Sequence, residues 1–179
     1  MVEHTRFAAL VLPHLDAGYN LARWLTRNVN DAEDVVQDAS LRALTYVGSL
    51  RDGDARSWFL TIVRHAFYDW CKRNRPDEVM SDGGAALETA IDDSAVDPEL
   101  AALRKDESRS LSQALSDLPI VFREVLVLRE IEGLSYKQIA QVVGIPVGTV
   151  MSRLARARAL LQRSPLLRSI RGRASGAGS

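Results

Sequence analysis

Four residues near the carboxyl end carry side chains that could contact the edges of DNA bases. They are Thr149, Ser152, Arg153 and Arg156. Steps of three, one and three residues place them on one face of a helix. An arginine can donate to both major-groove acceptors of guanine, and a threonine methyl or a serine hydroxyl can contact thymine or either base edge. This row therefore predicts sequence-specific binding in the major groove of duplex DNA.

The element that must position this row is a helix-turn-helix over residues 135–158. Ser135 and Gln138 have the spacing of a capping box, which starts a helix, and Gly144 permits the backbone conformation that ends it. Pro146 then pre-sets the first turn of a second helix. The other face of that helix is apolar and is predicted to pack inward; it holds Val147, Val150, Leu154, Ala157 and Leu161.

Further polar residues around this motif are predicted to contact DNA phosphates, which add affinity without sequence information. They are Arg129, Ser135, Lys137 and Arg158. The alternative is an ordinary amphipathic helix whose arginines are only solvated. Cap, turn, proline and both faces agree, however, so the sequence favours the DNA-binding interpretation.

Charge is segregated along the 179 residues, although the formal net charge is zero. Residues 1–76 hold 9 acidic and 10 basic residues, 77–107 hold 10 and 2, and 108–179 hold 4 and 11. The acidic middle has few large apolar side chains and predicts a linker. Apolar residues recur at three- and four-residue steps on both sides of it. We therefore predict an all-α protein with two small helical domains at 5–75 and 105–165, a flexible acidic linker at 76–104 and a flexible tail at 166–179.

Two polar helix faces stand out in the first domain. One belongs to a helix that begins near Ala32, with Asn30 or Asp31 as its cap, and it carries Asp34, Gln37, Asp38 and Arg42. A solvated charged face explains this pattern equally well. The other belongs to a helix over residues 57–75 and carries Thr61, Arg64, His65, Tyr68, Lys72 and Arg75. Cations beside an aromatic ring suit single-stranded DNA.

The remaining aromatic residues of this second helix are predicted to be core residues. They are Trp58, Phe59, Phe67 and Trp70. Three dispersed histidines and the single Cys71 give no metal-ligand spacing and no internal disulfide. We find no phosphate-binding loop and no catalytic set, and no apolar run long enough to span a membrane. The sequence predicts a cytoplasmic protein that needs no cofactor and is not an enzyme.

Three segments together resemble the extracytoplasmic-function sigma factors of the sigma-70 family. SDLPIVFREVLVLREIEGLSYKQIAQVVGIPVGTVMSRLARARALL is similar to the family's promoter-reading C-terminal domain. NVNDAEDVVQDASLRAL resembles its polymerase-binding helix, and ARSWFLTIVRHAFYDWCKRNRP resembles its promoter-melting helix. The segments follow the family's order and spacing. Met151 departs from the pattern, because a lysine or arginine is common at that position.

The resemblance implies a role for each face. The first domain would recognise and melt the -10-type promoter element, with Arg51 in the loop 48–55 that accepts a base turned out of the stack. The second domain would recognise the -35-type element. The face with Asp34 would dock on a coiled coil of the largest subunit of RNA polymerase. The implied partners are core RNA polymerase, promoter DNA and an anti-sigma factor.

Two other classes of protein remain open at this point. A stand-alone helix-turn-helix regulator would bind palindromic operators as a dimer, without polymerase, and would leave the face with Asp34 without a purpose. A sigma-like mimic would bind an anti-sigma factor and no DNA. Arg153 and Arg156 disfavour the mimic.

Overall fold

The computed structural model describes residues 2–50, 53–77 and 98–168. Within these ranges every regular element is helical, which confirms the all-α prediction. The N-terminal helices are α1 (Val2–Leu10), α2 (Leu15–Thr26), α3 (Val29–Tyr46) and α4 (Ala55–Asn74). The C-terminal helices are α5 (Pro98–Ser116), α6 (Ile120–Leu126), α7 (Tyr136–Val143) and α8 (Val147–Arg163). Two 3-10 turns at Leu12–His14 and Val47–Ser49, and a π-helical turn at Val127–Ile131, connect neighbouring helices.

Helix α5 begins within the segment that the sequence predicts to be a linker. Residues 78–97 lie outside the described residues, but the helix already starts at Pro98, so residues 98–104 are helical and not linker. Proline is well tolerated in the first turn of a helix because its missing amide hydrogen has no partner there. The following residues, ELAALR, are good helix formers. The last part of the predicted linker, residues 98–104, is therefore helical.

Helix α3 also begins earlier than predicted. Its cap is Asn28, whose side chain accepts a hydrogen bond from the backbone N–H of Asp31 at 3.1 Å, and not Asn30 or Asp31. The reason lies in the preceding residue. Arg27 adopts a left-handed backbone conformation with φ 59°, which ends α2 and leaves the next residue extended in the capping position.

Helices α2, α3 and α4 enclose the core of the N-terminal part. Phe59 and Phe67 are fully buried and Trp70 is buried, while Trp58 is half-buried against the same core. The prediction that these aromatic side chains belong to the core is thereby confirmed. Gly18 of α2 allows the close approach of α4, because a Cβ atom placed there would lie 2.6 Å from the Phe59 ring.

Replacing Gly18 by alanine should destabilise the fold. The added methyl group overpacks a core in which the Phe59 ring is fully buried and cannot swing into solvent. Overpacking of this kind costs about 1–3 kcal/mol, which chemical denaturation followed by circular dichroism would measure. Gly48→Ala is the matched control, because a Cβ at Gly48 meets no atom within 4 Å. A Gly18→Ala variant as stable as the control would contradict the packing described here.

The N-terminal and C-terminal helices pack directly on each other. Helix α2 contacts α6, helix α4 contacts α7, and buried apolar residues of both parts form one continuous cluster. Two buried arginines reinforce the junction. Arg27 donates across the junction to the Ser116 carbonyl at 3.3 Å, at the electronegative end of α5. Arg123 donates to the same carbonyl at 2.6 Å and across the junction to the Leu25 carbonyl at 3.4 Å. The sequence predicted two tethered domains but not this contact between them.

Candidate nucleic-acid interface

The predicted helix-turn-helix is present as α7, a tight turn and α8. The Ser135 hydroxyl accepts from the backbone N–H of Gln138 at 3.2 Å, and the Gln138 side chain accepts from the backbone N–H of Ser135 at 2.9 Å. Gly144 ends α7 with φ 75°, and its N–H donates to the Ala140 carbonyl at 2.9 Å. Pro146 is extended and precedes the first residue of α8. Capping box, glycine stop and proline start are all confirmed.

The two faces of α8 largely follow the prediction. Val150, Leu154 and Ala157 are fully buried, and Leu161 is half-buried at the end of this stripe. Val147 was predicted to pack inward but is 42% exposed, because the first turn of α8 extends past the core. On the other face Ser152 and Arg156 are exposed, whereas Thr149 and Arg153 are half-buried.

Three side chains that were predicted to bind DNA converge on one buried carboxylate, that of Glu124 in α6. Arg64 donates from Nε to Oε2 of Glu124 at 2.8 Å and from Nη2 to Oε1 at 3.3 Å. The Tyr68 hydroxyl donates to the same carboxylate at 3.2 Å, and Nη1 of Arg153 lies 3.8 Å from it. The Glu124 side chain is 1% exposed. Residues of both predicted DNA-binding faces therefore share one partner.

Electrostatics at Glu124 favour an ion pair. Burial raises the pKa of the Glu124 carboxyl, while the hydrogen bond from Arg64 opposes that rise. Burial lowers the pKa of the Arg64 guanidinium, but the hydrogen bond to Glu124 and the attraction of its charge together leave the pKa raised. Burial and the nearby carboxylate raise the pKa of Tyr68, so its hydroxyl keeps the proton that it donates. With Arg64 charged, we assign Glu124 as a carboxylate held by several donors.

A second carboxylate, Glu132, also joins the two parts of the chain. It follows the π-helical turn and accepts hydrogen bonds from Asn20 of α2 at 3.2 Å and from Arg56 of α4 at 2.7 Å. Its side chain is 5% exposed. Nearby, Gln138 donates to Asp54 at 2.6 Å. We call the contacts of Glu124 and Glu132 the interdomain ion-pair network.

Sequence reasoning missed both carboxylates of this network. Ile120, Glu124, Leu128 and Glu132 follow one another at steps of four residues. Two acids on the apolar stripe of a predicted helix are a signal of buried charge, since unpaired carboxylates are rarely buried. Their hydrogen-bond partners lie 56 to 112 residues away along the chain, which spacing alone does not reveal.

The predicted -10 face of α4 does not form a single surface. Arg64 and Tyr68 point toward α6, whereas Arg75 donates to Asp31 at 3.0 Å and lies over the Trp70 ring. Arg75 is the C-terminal capping residue of α4 and has a non-helical φ of −144°. Helical spacing therefore does not predict where its side chain points. The Thr61 hydroxyl donates to the Ser57 carbonyl, and His65 and Lys72 are exposed. Arg51 lies outside the described residues.

The predicted phosphate-binding residues differ in solvent exposure and in the hydrogen bonds that they already make. Lys137 is exposed on α7, and the Ser135 hydroxyl is engaged in the cap. Arg129 donates to the Leu134 carbonyl at 2.8 Å and stacks over the Tyr136 ring. Arg158 donates to Glu130 at 2.6 Å, and this hydrogen bond raises its pKa. Lys137 therefore offers its charge to solvent most directly.

The predicted polymerase-binding face lies along α3. Asp34 and Gln37 are exposed, while Arg42 forms ion pairs with Asp38 at 2.9 Å and with Asp69 at 2.7 Å. Leu41, which the sequence analysis did not single out, is 62% exposed and continues the same row. The face thus combines exposed polar groups with one exposed apolar side chain, as protein interfaces do.

Two structural findings concern other kinds of site. Cys71 is buried in the N-terminal core, and the described part of the chain contains no group of three or more potential metal ligands. Among the described helices, none has the length and apolar character needed to cross a membrane.

Both parts of the chain match family models of the same protein family. Residues 10–76 match the family model for sigma-70 region 2, and residues 108–161 match the model for sigma-70 region 4. The ECF RNA polymerase sigma factor SigW of Bacillus subtilis is 31% identical over 88% of this chain and 87% of its own length. SigE of Mycolicibacterium smegmatis is 34% identical, and the chain spans 59% of its length.

Solved structures show the same helical arrangement. The sigma factor RpoE of Bartonella quintana, crystallised with the anti-sigma factor NepR, matches with a TM-score of 0.71 and 29% identity over 90% of this chain and 96% of that one. CnrH, solved with the cytosolic domain of CnrY, matches with a TM-score of 0.61, 28% identity, and coverage of 87% and 84%.

A helical protein with sigma-70 regions 2 and 4 in this order is a transcription initiation factor. The chain belongs to the extracytoplasmic-function sigma factors of the sigma-70 family. It is an alternative sigma factor, which directs RNA polymerase to a particular class of promoters. The alternative of a stand-alone helix-turn-helix regulator is not favoured.

Proposed function

We propose that this sigma factor acts through three surfaces. The outward row of α8 contacts base edges of the -35-type element, and Lys137 contacts phosphate. The row consists of Thr149, Ser152, Arg153 and Arg156. In region 2, Arg64, Tyr68 and their exposed neighbours bind the melted -10-type element. The α3 face with Asp34 and Gln37 binds the largest subunit of core polymerase. The observation that carries the proposal is the polar row on α8, outward from a capped helix-turn-helix.

Two features complete the proposed role. The chain acts in the cytoplasm, where core polymerase is found, and it contributes specificity and duplex opening without covalent chemistry of its own. The energetic requirement is modest, since unstacking a base costs a few kcal/mol, which a captured base can offset. We propose domain boundaries near residues 5–75 and 105–165, which the region 2 match at 10–76 and the region 4 match at 108–161 support.

A core-binding titration tests the proposal. Labelled core polymerase is titrated with the full chain, and the vegetative sigma factor of the same cell serves as competitor. We expect saturable binding that the competitor displaces, because the proposed docking face of α3 resembles the polymerase-binding helix of the family and should use the same site on the core. Binding no tighter than that of an unrelated acidic helical protein would contradict the proposal.

The similar sigma factor RpoE, crystallised with the anti-sigma factor NepR, supports an anti-sigma partner for this chain as well. A groove of about 580 Å³ runs between α2, α5 and α8 and is lined mainly by apolar side chains, including Trp24, Leu111, Leu126 and Ile131. Leu111 and Ile131 are exposed. A groove of this kind fits the apolar face of an amphipathic helix. We place one helix of the anti-sigma factor there.

Leu111→Asp tests this placement. Leu111 is 45% exposed, so the substitution should leave the fold intact while placing a charge in the groove. Co-purification with the product of the neighbouring gene, if that product binds the wild-type chain, should fall at least about tenfold, because a buried unpaired carboxylate costs more than 1.4 kcal/mol. Leu12→Asp, on an equally exposed leucine outside the groove, is the control. Undiminished binding by Leu111→Asp would exclude the groove.

A further inference from the structure

We infer that the interdomain ion-pair network holds the free protein in a closed, autoinhibited arrangement in which its own carboxylates occupy the residues that would bind promoter DNA. The inference rests on the proposed DNA-binding roles of Arg64, Tyr68 and Arg153. In this state the buried carboxylate of Glu124 occupies the position of a DNA phosphate for residues of both regions. Opening the junction between regions 2 and 4 separates Arg64 and Tyr68 from Glu124 and lets water reach this carboxylate beside Arg153.

The carboxylate of Glu124 contacts proposed DNA-binding residues of both regions. Arg64 and Tyr68 belong to α4 of region 2, whereas Arg153 belongs to α8 of region 4. The Arg64 side chain is 18% exposed and the Arg153 side chain 26%, so both are only partly open to solvent. Binding of DNA by Arg64 requires it to leave Glu124, which is then buried without its main partner. The closed arrangement and DNA binding through Arg64 and Tyr68 exclude each other.

The contacts of Glu132 can be removed without changing a proposed DNA-binding residue, so they allow an independent test of the network. The hydrogen-bond partners described for its carboxylate, Asn20 and Arg56, lie in region 2, so this carboxylate stabilises the junction rather than the interior of region 4. Arg56 also donates to the backbone carbonyl of Glu132 at 2.7 Å. Removing Arg56 leaves a carboxylate that is 5% exposed without its cation. Separation of the two regions then lets water reach that carboxylate, so the open state is favoured.

Arg56→Ala distinguishes autoinhibition from a simple effect of charge, because the two predict opposite changes in DNA affinity. The variant loses one positive charge, which by itself weakens binding to DNA. If the network is inhibitory, the same variant opens and binds a mixed-sequence 40-base-pair duplex more tightly, on the order of tenfold, in the usual range of coupling between sites. Small-angle scattering should show a larger radius of gyration. Arg73→Ala, an exposed arginine of α4 with the same change in charge, should bind no more tightly than the wild type.

A charge swap provides the second variant. Arg56→Glu combined with Glu132→Arg keeps the net charge and restores an ion pair across the junction, so it should return both the radius of gyration and the DNA affinity toward the wild-type values. The salt dependence gives a further readout. Arg56→Ala should steepen the plot of log affinity against log salt by roughly one, since Arg64 gains a phosphate.

The outcomes separate this inference from the proposed function. An Arg56→Ala chain that is folded and expanded but binds DNA no better than Arg73→Ala overturns autoinhibition, and so does a chain that neither expands nor gains affinity. Should Arg56→Ala unfold, the charge swap decides: Glu132→Arg alone must bind more tightly than the swapped pair and more tightly than Asp117→Arg, which adds the same charge on an exposed site. Failure of core binding would instead reject the proposed function.

Discussion

Replacing Arg153 and Arg156 together by alanine should abolish promoter selectivity while leaving core polymerase binding unchanged. Both lie on the outward face of α8, and Arg156 is exposed. A bidentate contact between an arginine and guanine contributes about 1–3 kcal/mol of discrimination between bases. The two arginines should therefore raise the selectivity for the cognate promoter at least roughly 30-fold. The measurement is the ratio of initiation at a cognate promoter to that at a promoter with an altered -35-type element, in reactions with core polymerase.

A double control distinguishes base contact from loss of charge. Arg109→Ala with Arg168→Ala removes two exposed arginines elsewhere in the described chain. This control should weaken DNA binding slightly at low salt and keep the selectivity ratio, because phosphate contacts carry no sequence information. A double Arg153 and Arg156 variant that retains the wild-type ratio would show that α8 does not read the promoter.

Reversing the charge of Asp34 should produce the largest loss of polymerase binding. Asp34 is exposed on α3 at the start of the row that continues through Gln37 and Leu41. Bringing like charges together at an interface costs several kcal/mol, and about 3 kcal/mol corresponds to roughly a hundredfold loss of affinity. Competition against labelled wild-type chain for core polymerase would measure this loss for Asp34→Arg.

Glu107→Arg is the matched control for this variant, since Glu107 is an exposed acid on α5, in the C-terminal part of the chain. We expect it to compete as the wild type does. Asp34→Arg should change the affinity for the mixed-sequence duplex no more than Glu107→Arg does, because both substitutions change the net charge equally. If Asp34→Arg competes as well as Glu107→Arg, the polymerase contacts another surface.

Local features of this protein could be predicted from sequence because their causes lie within a few residues of each other. The capping box of Ser135 and Gln138, the stop at Gly144 and the start at Pro146 all depend on side chains and backbone of immediate neighbours. The buried stripe of α8 follows from helical periodicity alone. The same reasoning failed at Val147, which has the right spacing but lies beyond the edge of the core.

Features that depend on contacts between distant segments could not be predicted. The cap of α3 shifted because Arg27 is left-handed, and Arg27 is fixed in place by burial against the end of α5. The residues predicted to share one face of α4 point in different directions. Arg64 and Tyr68 form hydrogen bonds to Glu124 of α6, whereas Arg75 pairs with Asp31 of α3. The position of Glu124 between these residues is a property of how regions 2 and 4 pack. Spacing along one helix carries no information about such packing.

Initiation in a purified system tests the central claim most directly. Core polymerase is mixed with the full chain and genomic DNA of its host, and the 5′ ends of the transcripts are mapped by sequencing. The account predicts a small set of start sites that require the chain, share two sequence elements upstream, and disappear with the Arg153 and Arg156 double variant. Transcripts whose start sites are the same with and without the chain would contradict it.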